Sequence, residues 1–268
     1  MFADAKTHQK ICAVMQRVLI VDPLPASTKL LSELLRDIGH CQIWTSSDPV
    51  NALVIAERIE PHIIFVEQCA AVDGAAFTRQ LRRTDLPCRK APVITVSAEA
   101  TAATIIGARD AGVHEFLRKP FAARDLNRRL EAALLHPRDW IEAVGYVGPD
   151  RRRFNSGNYA GMLKRRVDHV ETPDEARFVQ ALKILKSALL AMETDPRQAL
   201  RSMTAQAGDL LGSARARADM ELRAMAATFG QRLERADPNA LPKAEIEALA
   251  EPLLAYLPAD AEQSRPAA

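Results

Sequence analysis

The chain has 268 residues, which allows two domains or one domain with a large extension. Its hydrophobic content of 48% and charged content of 26% are ordinary for a globular protein, and a net charge of +2 does not indicate a polyanion binder. No apolar run reaches the ~18 residues of a membrane helix, and residues 1–17 lack the apolar core of a signal peptide. Cys12, Cys41, Cys69 and Cys88 show no paired spacing, which favours reduced thiols over disulfides or a zinc site. We therefore expect a cytoplasmic protein without a membrane segment.

The first half of the chain alternates short apolar runs with helical patterns. The predicted strands are Val18–Val21, Cys41–Thr45, Ile63–Val66, Pro92–Ser97 and His114–Leu117. The predicted helices are Leu30–Ile38, Pro49–Ile59, a segment after Asp73-Gly74 that includes Leu81, then Glu99–Ala111 and Ala122–Leu135. The strands are continuously apolar, as expected when helices cover both faces of a parallel sheet. This alternation predicts an α/β fold with a five-stranded, doubly wound, flavodoxin-like sheet, followed by an all-α region.

Polar residues stand where several of these strands end. Asp22 ends the first strand, Glu67 the third and Ser97 the fourth, while Lys119 follows the fifth. Ligand chemistry in parallel sheets lies at the carboxyl ends of the strands. The sequence therefore predicts two carboxylates, a hydroxyl and an ammonium group at one edge of the sheet.

Three segments that occur in this order resemble the receiver domains of two-component response regulators. They are Leu19-Ile-Val-Asp22, Pro92-Val-Ile-Thr-Val-Ser-Ala-Glu99 and Arg118-Lys-Pro-Phe121. Each segment alone is a weak signal, but together, on the expected elements, they are specific. The resemblance covers a little under half of the chain.

The resemblance implies roles for the residues at the predicted edge. Position 67 would carry an aspartate that accepts a phosphoryl group from a histidine kinase, and acids at positions 22 and 23 would hold Mg²⁺. Ser97 matches the hydroxyl that bonds the phosphoryl oxygen, and Lys119 matches the lysine that pairs with it. Phe116 matches the aromatic residue that moves inward when this hydroxyl moves.

The sequence departs from the family pattern at Glu67 and Pro23. Glutamate carries one more methylene than aspartate, so its carboxylate lies about 1.5 Å too far out for in-line transfer. Pro23 offers no oxygen to a metal, which leaves Asp22 and Glu67 as weak Mg²⁺ ligands, so we expect no catalytic site and no firmly bound cofactor. We interpret the domain as a pseudo-receiver in which Glu67 reaches Lys119 and Ser97 and mimics a phosphorylated state. Residual phosphorylation and a merely solvated carboxylate are the alternatives.

A basic segment follows the predicted sheet. Arg151, Arg152 and Arg153 follow Tyr146-Val-Gly-Pro-Asp and are suited to binding phosphates or a cyclic dinucleotide. The alternative is a solvated linker, or arginines that dock on acidic helix ends.

The remaining sequence is helical in pattern. Pro173 and Pro196 each follow a capping residue, and Pro242 begins a last helix that contains Pro252. Apolar residues between Leu200 and Leu233 predict one helix of about 40 residues, or two helices broken near Gly208 or Gly212. Because such a long stripe would be open on one side, homodimerisation through this region is expected.

The sequence thus divides into five parts: an N-terminal extension (1–16), a receiver-like domain (17–136), a basic linker (137–173), a helical domain (174–258) and a disordered tail (259–268). The leading hypothesis is a non-catalytic signalling protein of a two-component or phosphorelay pathway that acts by protein–protein interaction. Its expected partners are a histidine kinase, a phosphotransferase or a downstream regulator, which would bind the surface of the fourth predicted helix, fifth strand and fifth helix.

Two further functions remain open: a response regulator phosphorylated at an atypical acceptor, and a cyclic-dinucleotide effector using Arg151 to Arg153. No cyclase, esterase or kinase motif is evident, so no enzyme is expected. DNA binding is not expected either, because residues 175–258 carry 11 basic and 11 acidic residues and no helix-turn-helix pattern.

Overall fold

The computed structural model of the protein describes residues 4–151 and 173–258. These residues form two compact units. The first comprises residues 4–141 and 146–151, and the second comprises residues 142–145 and 173–258. Among the described residues, no helix is both long and apolar enough to cross a membrane.

The first unit is built on a five-stranded sheet in the order β2-β1-β3-β4-β5, in which all neighbouring strands are parallel. The strands are β1 (Arg17–Val21), β2 (Gln42–Ser46), β3 (Ile63–Glu67), β4 (Val93–Ser97) and β5 (Glu115–Arg118). The helices are α1 (Ala5–Val14), α2 (Pro25–Ile38), α3 (Pro49–Ile59), α4 (Gly74–Arg83), α5 (Ala102–Asp110) and α6 (Ala123–Leu135), with a 3₁₀ turn at Pro87–Lys90. This architecture confirms the predicted fold class.

Two apolar clusters cover the two faces of this sheet. Val18 and Ile20 of β1 point into one cluster, whereas Leu19 and Val21 point into the other. Alternation along a strand sends successive side chains to opposite faces, so a strand covered on both sides must be apolar throughout. That requirement explains why β1 reads as an unbroken hydrophobic run.

Helix α1 lies within the segment predicted as an N-terminal extension, and it is part of the first unit's core. The carboxylate of Asp4 caps the helix by accepting a hydrogen bond from the Thr7 N–H. Ile11 and Met15 are fully buried in the same cluster as Leu130 of α6. The helix was missed because its ten residues carry few apolar positions.

Strands β6 (Trp140–Glu142) and β7 (Val147–Pro149) form a two-stranded sheet within the segment predicted as a linker. Gly148 lies against Gly112, where a Cβ on Gly148 would approach the Gly112 Cα to 2.7 Å. The Tyr146 hydroxyl donates to the carbonyl oxygen of Pro149 at 2.5 Å. Of the described part of this segment, residues 146–151 are therefore folded within the first unit.

Arg82 of α4 is fully buried at the same end of the first unit. Its Nε and Nη2 atoms donate to the carbonyl oxygen of Gly112, and its Nη1 atom donates to the carbonyl oxygens of Arg89 and Ala91. Its guanidinium also lies 5.3 Å from the ring centroid of Trp140. The buried charge is thus satisfied by backbone carbonyls and an aromatic face.

The second unit contains four helices, α7 (Pro173–Leu190), α8 (Pro196–Ala216), α9 (Met220–Glu234) and α10 (Lys243–Leu254). The long apolar pattern breaks at residues 217–219, because Asp219 caps α9, so the expected break near Gly208 or Gly212 is wrong. Pro252 lies inside α10, which continues for two more residues. The predicted cap at Thr172 and the predicted disordered tail fall outside the described residues.

The apolar stripe of the second unit is covered by its own helices. Its shared core includes Phe178, Leu185, Leu210, Phe229 and Leu253, all at most 3% exposed. The expectation that a long helix would leave its stripe open is therefore wrong, because two shorter helices cover each other. A second copy is not needed to bury this surface.

Three buried polar residues of α8 hold the chain segment that begins at Glu142. Gln198, Ser202 and Gln206 follow one another at four-residue spacing and are at most 2% exposed. Ser202 Oγ donates to the Glu142 carbonyl oxygen at 2.9 Å, Gln206 Nε2 donates to the same oxygen at 3.3 Å, and Gln198 Nε2 donates to Glu142 Oε1 at 3.0 Å. Residues 142–145 are thus an integral part of the second unit.

Candidate functional site

The predicted polar edge is present at the carboxyl ends of the strands. Asp22, Glu67 and Ser97 are 8%, 5% and 0% exposed, so all three lie in the protein rather than in solvent. Backbone hydrogen bonds extend the sheet past the strand ends, because the Lys119 N–H donates to the Ser97 carbonyl oxygen at 2.8 Å. The sheet register therefore brings the four residues together.

Lys119 is the centre of the site. Its Nζ atom donates a hydrogen bond to Glu67 Oε2 and forms an ion pair with it. The same Nζ atom lies 3.1 Å from Asp22 Oδ2 and 2.7 Å from Ser27 Oγ. The lysine thus joins strands β1, β3 and β5 and the first turn of α2.

Ser27 was not among the predicted site residues. It stands two residues after Pro25, the first residue of α2, and its side chain points back at the strand ends. The proline at the first helical position was visible in the sequence and could have located Ser27 in the first turn beside the site.

Burial and charge act in opposite directions on Glu67 and Lys119. Burial raises the pKa of Glu67, and Asp22 adds to this rise, which the hydrogen bond and charge of Lys119 only partly offset. Burial alone would lower the pKa of Lys119, but the hydrogen bonds and charges of Glu67 and Asp22 more than offset it, so the net shift is upward. The cluster therefore holds a firmly protonated lysine against a carboxylate whose charge is costly to bury.

The oxygens at this edge are a poor match for a Mg²⁺ ion, which prefers several free oxygen ligands. Asp22 Oδ1 accepts the Leu24 N–H at 2.8 Å and Oδ2 faces Lys119, so both of its oxygens are engaged. Pro23 supplies no side-chain oxygen, and Oε2 of Glu67 is paired with the lysine. Across residues 4–151 and 173–258, no group of three or more His, Cys, Asp and Glu is placed to hold a metal ion.

Ser97 does not contact the carboxylate of Glu67, so this part of the predicted arrangement is wrong. Its hydroxyl donates to the carbonyl oxygen of Gln68 at 2.7 Å and accepts the Glu99 N–H at 3.1 Å. The side chain of Phe116 is buried, at 3% exposure, in the apolar cluster between the sheet and α4. Glu67 therefore bonds Lys119 but not Ser97, the other partner that was expected.

The loop after β3 is held by its own polar contacts. Asp73 caps α4 by accepting the Ala76 N–H at 2.9 Å, and Gln68 Oε1 accepts the Ala75 N–H at 3.0 Å. A Cβ on Gly74 would lie 2.6 Å from the Glu67 carbonyl oxygen, so only glycine fits here. These contacts fix the backbone from which Glu67 projects.

Arg151 is docked on the first unit. Its Nη1 atom lies 3.1 Å from Asp110 Oδ1, at the last residue of α5, and its guanidinium lies 4.5 Å from the Tyr146 ring centroid. Arg152 and Arg153 lie outside the described residues. One alternative from the sequence was that these arginines dock on acidic helix ends. Arg151 is placed in this way.

Residues 18–131 match the model of the response regulator receiver domain. The chemotaxis protein CheY-3 of Vibrio cholerae serotype O1 is 28% identical over 116 residues, which cover 43% of this chain and 88% of that protein. The transcriptional regulatory protein PdtaR of Mycobacterium tuberculosis is 26% identical over 173 residues, 63% of this chain and 82% of that protein. Among solved structures, the receiver domain of sensor histidine kinase PA1611 from Pseudomonas aeruginosa is 27% identical, with a TM-score of 0.40, and the match covers 44% of this chain and 97% of that chain.

The sheet order, the strand-end residues and the family match together define the first unit as a response regulator receiver domain. Receiver domains belong to two-component signalling and interact with histidine kinases and other signalling proteins. In this chain the domain is followed by a helical region.

Proposed function

We propose that this protein is a non-catalytic signalling protein in which a pseudo-receiver acts through protein–protein contacts. The observation that carries the proposal is the ion pair between Glu67 and Lys119, which also contacts Asp22. The lysine that would pair with a phosphoryl group is already paired with the residue at the acceptor position.

Phosphoryl transfer to this site faces three physical obstacles. The Glu67 carboxylate is displaced by one methylene, and transfer depends on positioning within fractions of an ångström. Pro23 removes an oxygen ligand of the metal that would neutralise the developing charge. The third obstacle is that the ion pair with Lys119 stabilises the negative charge of the Glu67 carboxylate and so makes it a weaker nucleophile.

We propose further that Glu67 substitutes for a phosphoryl group at Lys119 and so keeps the domain in one state. A hydrogen bond between two charged groups is stronger than a neutral one, and Lys119 and Glu67 form such a pair. The buried position of Phe116 supports the proposal. Ser97 bonds to Gln68 instead of Glu67, so the imitation extends to the lysine and not to the hydroxyl.

The partners that fit this function are a histidine kinase, a phosphotransferase or a downstream regulator. We propose that the interaction takes place in the cytoplasm. The name of PdtaR raises transcriptional regulation for this chain as well, but the balanced charge of residues 175–258 favours protein partners over DNA. Homo-oligomerisation is the less favoured option, because the helical unit buries its own stripe. A monomeric mass by light scattering at micromolar concentration would exclude it.

Incubation of the full chain with acetyl phosphate and Mg²⁺, followed by intact mass spectrometry, tests the proposal. We expect no phosphoprotein from the wild type. The double variant Pro23→Asp/Glu67→Asp, called the acid-restored variant below, is the matched control because it returns both missing acids. Phosphorylation of wild-type Glu67 would instead support the alternative of a regulator with an atypical acceptor.

The contacts of Arg151 favour a structural role over cyclic-dinucleotide binding, because its guanidinium is held between Asp110 and Tyr146. Calorimetric titration with cyclic di-GMP checks this interpretation. Binding that is lost when Arg151, Arg152 and Arg153 are replaced would restore the nucleotide hypothesis.

A further inference from the structure

The ammonium group of Lys119 has three acceptors for its three protons. They are Glu67 Oε2, Asp22 Oδ2 at 3.1 Å and Ser27 Oγ at 2.7 Å. A lysine ammonium has three donors and no more. The lysine is therefore saturated by protein oxygens alone, and Ser27 supplies the one acceptor that is not a carboxylate.

The turn that leads into α2 fixes Ser27 in this position. The Asp22 carboxylate accepts the Leu24 N–H at 2.8 Å, and the Thr28 N–H donates to the Leu24 carbonyl oxygen at 3.0 Å. Pro25 directly follows Leu24, and its ring restricts the backbone where α2 begins. The loop that lost a metal-binding acid is thus a stiff turn that holds a hydroxyl against the lysine.

We propose that Ser27 is a positioning residue that locks Lys119 in the phosphate-free arrangement, and that the β1–α2 turn is the lock. This inference rests on the proposed function, because it explains how the closed site is maintained. A phosphoryl-like ligand needs a donor from Lys119, and it can obtain one only by displacing an acceptor that is already in place. Ser27 therefore opposes ligand binding independently of the missing acids.

Beryllofluoride with Mg²⁺, titrated into the full chain and followed by ¹⁹F NMR, tests the lock. In the acid-restored variant, adding Ser27→Ala should tighten beryllofluoride binding about tenfold, since one charge-assisted hydrogen bond no longer competes. Thr28→Ala is the matched control, because the Thr28 hydroxyl lies in the same turn and bonds only the Leu24 carbonyl oxygen, at 3.2 Å. Ser27→Thr, which retains the hydroxyl, should restore the weaker binding.

Equal binding with and without Ser27→Ala in the acid-restored variant, or no binding in either, would overturn the lock. The proposed function is judged separately, by whether the wild type takes up beryllofluoride. The ¹⁵N signal of the Lys119 ammonium gives a second measurement in the wild type. It should persist in Thr28→Ala and broaden through faster proton exchange in Ser27→Ala, and an unchanged signal would also count against the lock.

Discussion

The hydroxyl of Ser97 donates to the carbonyl oxygen of Gln68, the residue directly after the acceptor position, at 2.7 Å. It is therefore held by the backbone of the loop that carries Glu67, and not by the Glu67 carboxylate. The site is closed through Lys119 alone. Under the proposed function, Glu67 would therefore keep the domain in one conformation through the lysine and not through the hydroxyl.

Arg82→Lys should destabilise the first unit by at least ~2 kcal/mol, because a lysine cannot replace a buried guanidinium that bonds three carbonyl oxygens. Urea unfolding followed by tryptophan fluorescence measures this, since both tryptophans, Trp44 and Trp140, lie in the first unit. Arg79→Lys, at an exposed position of the same helix, is the control and should change stability little. Equal effects of the two substitutions would refute the role given to Arg82.

Gly112→Ala should lower the stability of the first unit. Gly112 has φ +90°, and an added Cβ would lie 2.5 Å from the Val147 carbonyl oxygen. Gly107→Ala is the matched control, because Gly107 lies inside α5 with open space around it. This substitution should raise the free energy of unfolding by up to ~1 kcal/mol. The melting temperature should therefore fall in Gly112→Ala and rise in Gly107→Ala. A shift in the same direction in both variants would contradict the packing described for Gly112.

The first unit should lose stability in mild acid because of His114. Burial lowers the pKa of His114 well below 6.5, and the charges of Arg82 and Arg138 lower it further. The unfolded chain then binds a proton that the folded chain excludes, so stability falls as pH drops below 6.5, by at most ~1.4 kcal/mol per pH unit.

His114→Asn retains an acceptor for the Val93 N–H and should reduce this pH dependence between pH 5 and 7. Urea titrations at several pH values, with the exposed His136→Asn as control, give the comparison. A pH dependence identical to that of the wild type would rule out His114 as its source.

Ser202→Ala should lower the free energy of unfolding of the second unit by ~0.5–1.5 kcal/mol, because the Glu142 carbonyl oxygen loses one of its two buried donors and keeps Gln206 Nε2. Thr204→Ala is the control: its hydroxyl is exposed and bonds the Leu200 carbonyl oxygen of the same helix. Hydrogen exchange of the α8 amides distinguishes the two variants. Unchanged protection in Ser202→Ala would show that the contact with Glu142 contributes little.

The receiver fold was predictable because its strands are continuously apolar and its helices carry local start signals. Asp48, for example, caps α3 by accepting the Asn51 N–H at 2.7 Å, as the Asp48-Pro49 pair predicts. The strand ends then located Asp22, Glu67 and Lys119 at one edge. The carboxyl ends of parallel strands lie at the same edge of a sheet, so residues that follow different strands come close together. The proximity of these three residues could therefore be predicted without knowing how the side chains pack.

Features that the order of strands and helices does not determine were not predictable. Strands β6 and β7 have three residues each, and they are stabilised by Gly112 and Arg82, which lie far back in the chain. Whether Ser97 bonds Glu67 or the Gln68 carbonyl oxygen depends on side-chain geometry that no pattern encodes. The break between α8 and α9 also escaped detection, because the apolar spacing continues across it.

Titration of the ¹⁵N-labelled wild-type chain with beryllofluoride and Mg²⁺ tests the central claim most directly. A lysine already paired with Glu67, beside a poor metal site, should leave the amide signals of Asp22, Glu67, Ser97 and Lys119 unchanged at millimolar ligand. The acid-restored variant should show saturable shifts at the same positions. Saturable shifts of these four signals in the wild type would contradict the account, because they would show a site that still accepts a phosphoryl group.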